Sequence, residues 1–121
     1  MNNAQQLADR YTAVWNETDD ARRRTAIAEL WPATGVHYVN ARVARGHDEL
    51  ELRIAESHRK NVLDRGCLFR ARSDARVLRD VVTFHWEMIR PSDGEVLAVG
   101  LEFLRIGADG LIEADYQFVV A

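Results

Sequence analysis

The spacing of hydrophobic residues changes from helical to strand-like about midway along the chain. In the first half, apolar residues recur at intervals of three and four, which predicts amphipathic helices. The stripe of the first helix is Leu7, Tyr11, Val14 and Trp15. Thr18 or Asp19 can cap a second helix, whose buried side is Ala26, Ile27, Leu30 and Trp31. Pro32 ends this helix, and a short strand is expected over 36–39.

A third helix is predicted to begin at Gly46, with Asp48 and Glu49 in its first turn. Its buried face runs through Leu50, Ile54, Ser57 or His58, and Asn61 or Val62. Gly66 ends this segment, and residues 67–71 are typical of another strand.

The last third of the chain alternates as three consecutive strands over 79–91, 94–107 and 110–121, joined by two turns that contain glycine. The predicted fold is α+β over residues 1–121, with helices from the N-terminal half packed on a mostly antiparallel sheet. In the middle strand both faces are apolar, yet three helices can cover only one face of a sheet. We therefore expect a homodimer through the other, convex face, where Leu101, Phe103, Tyr116 and Phe118 lie.

Glu102 is the one ionisable residue on the even face of the middle strand. Its neighbours on that face are Val96, Ala98, Gly100, Leu104 and Ile106. Because a carboxylate in apolar surroundings is costly unless it is partnered or neutral, Glu102 is the first candidate for chemistry. The alternative is a buried structural glutamate satisfied by a neighbouring side chain.

Composition limits the partners and the compartment. The 121 residues carry a formal charge of −3 and scattered basic residues, so neither nucleic acid nor an anionic membrane is an expected partner. No apolar run approaches the length of a membrane span, and the N-terminus lacks the pattern of a signal peptide. Cys67 is the one cysteine, which favours a buried thiol in a reducing, cytoplasmic location. We expect no metal, since His85 and Glu87 lack a third ligand, and no nucleotide cofactor.

Several segments together resemble the nuclear transport factor 2-like superfamily, in its SnoaL-like or ketosteroid-isomerase-like bacterial branch. They are RYTAVWNETDD at 10–20, ELWPATGVHYV at 29–39, GHDEL at 46–50, and the run from Trp86 to Ile112. The resemblance covers nearly the whole chain. It implies a cone-shaped, cystatin-like α+β roll that holds a small hydrophobic molecule between the sheet and the helices, without a cofactor.

The resemblance also implies roles for individual residues. Tyr11 matches the tyrosine of the ketosteroid isomerase oxyanion hole, and Glu102 matches the acid beside it. The general base of that enzyme falls at Tyr38, near Asn40, and no carboxylate occupies that place. Asp115 and His58 are the further catalytic candidates. The expected substrate-binding residues are Trp15, Tyr38, Asn40, Phe84, Trp86, Met88 and Gln117.

Three interpretations of function remain open at this point. The first is a cofactor-free isomerase, cyclase or hydrolase acting on a small apolar carbonyl or epoxide. An epoxide-hydrolase relay would use Asp115 and Arg70, but a third member is not evident. The second is a non-catalytic ligand-binding module, and the third is a dimerisation domain whose cone is filled by its own side chains. Asp115 and Gln117 face either the cavity or solvent, because their strand pattern favours a solvent-exposed face, whereas the resemblance implies the cavity.

Overall fold

The computed structural model describes residues 3–121. Its helices are α1 (Asn3–Asn16), α2 (Asp20–Leu30) and α3 (Gly46–Ser57), and α3 continues without a break into a π-helical segment (His58–Asp64). Asp19 caps α2, because its side chain accepts a hydrogen bond from the amide of Arg22 at 2.8 Å. The predicted helix starts and the stop before Pro32 are confirmed.

Seven strands form one mixed sheet. They are β1 (Val36–Val39), β2 (Arg42–Arg45), β3 (Leu68–Ala71), β4 (Arg76–Leu78), β5 (Val81–Arg90), β6 (Glu95–Ile106) and β7 (Ile112–Val119). The order is β2-β1-β7-β6-β5-β3, with β4 also paired to β5. Only β1 and β7 run parallel; the other pairings are antiparallel. Three helices on a mostly antiparallel sheet form the α+β roll that the sequence predicts.

The helices cover one face of the sheet, and the main core lies between the helices and this face. Alternation in β5 sends Val82, Phe84, Trp86 and Met88 to this inner face, where all four are buried. The helices contribute Tyr11, Trp15, Ile27, Leu30, Trp31, Leu50 and Ile54 to the same core. The register shifts between Met88 and Ile89 and between Arg105 and Ile106, and such irregularities bend strands.

Two short strands were not predicted from the sequence. In β2 only Ala44 is buried, and in β4 no residue is buried, so neither has the apolar alternation that marks a strand. β2 forms because the chain reverses at Asn40, which adopts a left-handed conformation with φ 52° and returns the chain antiparallel to β1. No helix within residues 3–121 is both long and apolar enough to cross a membrane.

Candidate functional site

A cavity of ≈ 330 Å³ lies between the helices and the inner face of the sheet. This volume is within the range of small-molecule sites. The sheet side of the wall consists of Trp86, Met88, Ala98, Glu102, Gln117 and Val119. The helical side consists of Tyr11, Thr12 and Trp15 from α1, and of Arg53, Glu56, Ser57, Lys60 and Asn61 from α3 and the π-helical segment. Arg42 and Phe69 complete the wall.

Glu102 has no solvent exposure and contributes to the cavity wall. Its Oε1 accepts a hydrogen bond of 3.0 Å from Nε1 of Trp86. Its Oε2 is buried and has no hydrogen-bond partner among the described residues. Because a buried polar atom without a partner is costly, this second oxygen would gain from a hydrogen bond.

Asp115 is a second fully buried carboxyl, and two side chains hold it. The Tyr11 hydroxyl donates to Oδ2 at 3.0 Å, and Nδ1 of His37 lies 2.8 Å from Oδ1. A His37 tautomer protonated at Nδ1 donates to this oxygen. Both oxygens of Asp115 are thus satisfied within the protein, in contrast to those of Glu102.

Burial is the main cause that raises the pKa of Glu102 well above its usual range, and interaction with the carboxyl of Asp115 raises it further. The hydrogen bond from Trp86 and the nearby Tyr11 hydroxyl oppose this shift but do not cancel it. Burial followed by repulsion from Asp115 also raises the pKa of Tyr11. Burial thus favours the protonated form of Glu102 and the neutral phenol of Tyr11.

The indole of Trp86 reaches Glu102 because Gly100 gives it room. Trp86 and Gly100 are opposite each other in the β5–β6 pairing, and the indole lies across the glycine. A Cβ atom at position 100 would lie 2.0 Å from Cε2 of the indole and 2.4 Å from Nε1. Only glycine therefore allows the Trp86 position that holds Glu102.

The helical wall of the cavity carries basic side chains. Arg53 of α3 places its guanidinium carbon 4.9 Å from the ring centroid of Trp15, a cation–π contact. Arg42 forms an ion pair of 2.5 Å with Glu56. The cavity thus combines an acid on the sheet side, aromatic and aliphatic surfaces, and cations on the helical side.

The structure brings most of the predicted site residues together. Glu102, Tyr11, Trp15, Trp86, Met88 and Gln117 all contribute to the cavity wall. Asp115 faces the protein interior, directly behind Tyr11. The orientation that the strand pattern left open is therefore inward for both Asp115 and Gln117.

Other predicted residues lie elsewhere. Tyr38 is on the opposite face of the sheet, stacked on Tyr116 at 5.0 Å, because its inward-facing neighbours in β1 are His37 and Val39. Asn40 is exposed in the β1–β2 turn. Phe84 faces inward but is buried edge-on against the Tyr11 ring at 5.7 Å, away from the cavity wall. The expectation that these three contact the cavity is corrected.

His58 and Arg70 are also outside the cavity. His58 is buried where the π-helical segment meets α1, and burial together with the charge of Arg23 lowers its pKa. Arg70 binds Glu87 at 2.8 Å, with its side chain largely in solvent, so it cannot join Asp115 in a relay. His85 pairs with Asp74, and residues 3–121 contain no cluster of three or more potential metal-binding side chains.

Sequence reasoning missed His37 and Arg53. The signal for His37 was the alternation of β1, in which His37 and Val39 share the inner face. The signal for Arg53 was helical spacing, since positions 53, 56, 57, 60 and 61 lie on one side of α3 and its continuation.

Comparison with known proteins supports the fold. No protein-family model matches the chain, and no curated protein matches it. A crystal structure of a proposed isomerase of the SnoaL-like family from Agrobacterium tumefaciens str. C58 superposes with a TM-score of 0.89 and 23% identity, over 100% of both chains.

Two further structures have the same architecture. An NTF2-like protein with a cystatin-like fold from Novosphingobium aromaticivorans has a TM-score of 0.68 and 21% identity, over 96% of this chain and 79% of its own. A proposed polyketide cyclase from Sinorhizobium meliloti has a TM-score of 0.65 and 11% identity, over 93% of this chain and 94% of its own. The chain therefore has the nuclear transport factor 2-like fold, in the form shared with SnoaL-like proteins, as its sequence predicted.

Proposed function

We propose that the protein binds a small, mostly apolar molecule in this cavity and that Glu102 acts as a neutral acid toward an oxygen of that molecule. The observation that carries the proposal is the free oxygen of a fully buried carboxyl on the cavity wall. A carboxyl with a raised pKa can donate a hydrogen bond where an ionised one cannot. Ketosteroid isomerase uses a neutral carboxylic acid in this way.

The chemistry that fits is cofactor-independent isomerisation, cyclisation or hydrolysis of a carbonyl- or epoxide-bearing substrate. Negative charge that develops on the substrate oxygen would be stabilised by donation from Glu102. If the proton transfers fully, the Trp86 indole stabilises the glutamate left behind, through the bond that it already donates to Oε1. The proposed isomerase and the proposed polyketide cyclase with similar structures favour this group of reactions.

The second carboxyl, Asp115, has a supporting part in this proposal. It holds the Tyr11 hydroxyl beside Glu102 and is itself held by His37. Since Tyr11 donates to Asp115, the phenol can contribute to an oxyanion site only when its proton turns from Asp115 toward a ligand. Two buried carboxyls in different hydrogen-bonding environments are a typical basis for separate acid and base roles.

A neutral ketone tests the proposal directly. We expect 2-acetylnaphthalene labelled with carbon-13 at its carbonyl to bind, and the carbonyl resonance to move downfield because Glu102 donates a hydrogen bond to it. Glu102→Gln should retain part of the shift, since an amide also donates, and Glu102→Leu should abolish it. No binding to the folded protein, or an unchanged shift in Glu102→Leu, contradicts the proposal.

A non-catalytic ligand-binding module is the alternative, and the same cavity supports it. A cone plugged by its own side chains is disfavoured, because ≈ 330 Å³ remains open. Binding and a carbonyl shift without turnover of any carbonyl or epoxide substrate would favour the binding module.

We also propose a homodimer through the outer face of the sheet and a cytoplasmic location. The outer face exposes three aromatic side chains, Phe103, Tyr116 and Phe118. Neighbouring strands bring them together: Phe103 pairs with Tyr116 in register, and its ring meets that of Phe118 at 5.7 Å. The location rests on Cys67, a buried free thiol of the kind found in reducing compartments.

A further inference from the structure

Arg53 is a positively charged side chain on the cavity wall without an acidic partner. Within residues 3–121, no carboxylate oxygen lies within ion-pair distance of its guanidinium, although ten other basic side chains have such partners. Its Nε is buried and has no hydrogen-bond partner among the described residues. Its visible contact is the face of the Trp15 ring, 4.9 Å away.

The neighbouring charges leave the helical wall with an excess of positive charge. Arg42 and Glu56 both contribute to the wall, and they neutralise each other in an ion pair. Lys60, two turns beyond Arg53, also lies on the wall and forms no ion pair with another described residue. Arg53 and Lys60 therefore remain as uncompensated cations.

A structural role for Arg53, as a counter-charge to the two buried carboxyls, does not explain why its guanidinium forms no ion pair with them. Burial is the largest influence on Arg53 and lowers its pKa, although Tyr11, Asp115 and Glu102 favour the charged form. Arg53 is partly buried, and because a partly desolvated charge gains from a partner, its guanidinium is suited to bind an anion. Lys60 and Asn61 belong to a π-helical segment, a feature that is common at functional sites.

We propose that the ligand of this cavity carries a carboxylate, which binds to the Arg53 guanidinium on the helical wall, with Lys60 beside it. The ligand would then have an apolar body, an oxygen that meets Glu102 on the sheet wall, and an anionic group that meets Arg53. This inference rests on the proposed function and adds a substrate class to it: keto acids or epoxy acids with an aromatic or aliphatic body.

A singly charged carboxylate fits better than a phosphate. The planar fork of an arginine matches both oxygens of a carboxylate. Arg53 and Lys60 are the wall cations without an ion pair among the described residues, and only Arg53 supplies a planar fork.

The test compares two ligands that differ only in this group, 6-acetyl-2-naphthoate and 6-acetyl-2-naphthamide, by isothermal titration calorimetry. We expect the naphthoate to bind about tenfold more tightly or better, since a hydrogen bond to a charged group is stronger than one between neutral groups. In Arg53→Gln this advantage should disappear, so that the two ligands bind with equal affinity. Arg59→Gln is the matched control, because Arg59 is an exposed residue of the π-helical segment that does not line the cavity. This variant should preserve the advantage of the naphthoate.

Arg53→Lys is a second variant, which still tests the proposal if Arg53→Gln does not fold. It keeps the charge without the planar fork, so we expect an intermediate preference for the naphthoate. Equal affinities of the wild-type protein for the two ligands would overturn the carboxylate site and leave the proposed function intact. A preference that persists in both Arg53 variants would overturn the role of Arg53. Binding of neither ligand to the folded wild-type protein would contradict the proposed function itself.

Discussion

At the scale of single residues, the site depends on two buried carboxyls that are satisfied differently. Asp115 accepts hydrogen bonds on both oxygens, from Tyr11 and His37. Glu102 accepts one, from Trp86, and keeps a second oxygen unpartnered. Such an imbalance costs stability and would not be expected of a purely structural glutamate. Burial and the neighbouring Asp115 both favour the protonated form of Glu102.

This imbalance predicts a specific dependence of stability on pH. Because folding raises the pKa of Glu102, the folded state holds a proton that the unfolded state has already lost. The contribution of Glu102 to stability is complete below the ordinary glutamate pKa of about 4.3. It declines as pH rises from there to the folded pKa, and is constant above it.

Glu102→Gln should lack this decline. The free energy of unfolding of the wild-type protein, minus that of Glu102→Gln, should fall as pH rises above the ordinary glutamate range. Each unit of pKa difference contributes about 1.4 kcal/mol to the fall. Urea denaturation at several pH values measures it, with the exposed Glu29→Gln as the control variant. A difference that is constant with pH would show that Glu102 is ionised in the folded protein.

At the scale of helices and strands, the sequence predicted what depends on local periodicity. The stripe of Leu7, Tyr11, Val14 and Trp15 placed α1, and alternation placed β5, β6 and β7. It also identified Glu102, since a lone carboxylate in an apolar stripe can be seen without a structure. β2 and β4 were not predicted, because they are stabilised by pairing with neighbouring strands rather than by buried residues of their own.

The pairing of Tyr11 with Asp115 and His37 could not be predicted in the same way. Tyr11 and Asp115 are 104 positions apart, and their contact depends on how α1 packs against β7. Tyr38 illustrates the converse. The family resemblance suggested a cavity residue, whereas the alternation of β1 sends Tyr38 to the outer face and His37 inward.

The β5–β6 pairing makes a testable prediction about Gly100. In Gly100→Ala the new methyl group would overlap the Trp86 indole, which must move into the cavity and release Glu102. Overpacking of this kind costs about 1–3 kcal/mol. We expect lower stability and weaker binding of 2-acetylnaphthalene, and Gly100→Ala combined with Trp86→Leu should recover stability but not the bond to Glu102. Unchanged Trp86 fluorescence and binding in Gly100→Ala would contradict this account.

At the scale of the whole molecule, the sheet separates two surfaces with different expected roles. The inner face carries the cavity and both buried carboxyls. The outer face carries aromatic side chains that are substantially exposed, since 41% of Tyr116 and 49% of Phe118 are accessible to solvent. Clustered exposed aromatics are typical of interaction surfaces, which is why we expect a second copy of the chain to cover them.

Light scattering at micromolar concentration tests the dimer. We expect a mass of twice 13.8 kDa, through an interface that buries on the order of 1,200–2,000 Å². Phe103→Glu should shift the protein toward monomer, because it places a charge in a dry contact. Leu52→Glu is the control, since Leu52 is exposed on α3, away from the sheet. A monomeric wild-type protein, or a Phe103→Glu variant that remains dimeric, would contradict the proposed interface.

The central claim is that Glu102 is a neutral acid on the wall of a ligand cavity. The most direct measurement is the titration of its side-chain carboxyl carbon by NMR in the free protein, assigned by comparison with Glu102→Gln. Because burial and the neighbouring Asp115 both favour the protonated form, the Glu102 resonance should keep its protonated shift while exposed glutamates ionise. Its transition should occur at clearly higher pH. A Glu102 resonance that titrates together with the exposed glutamates would contradict the claim.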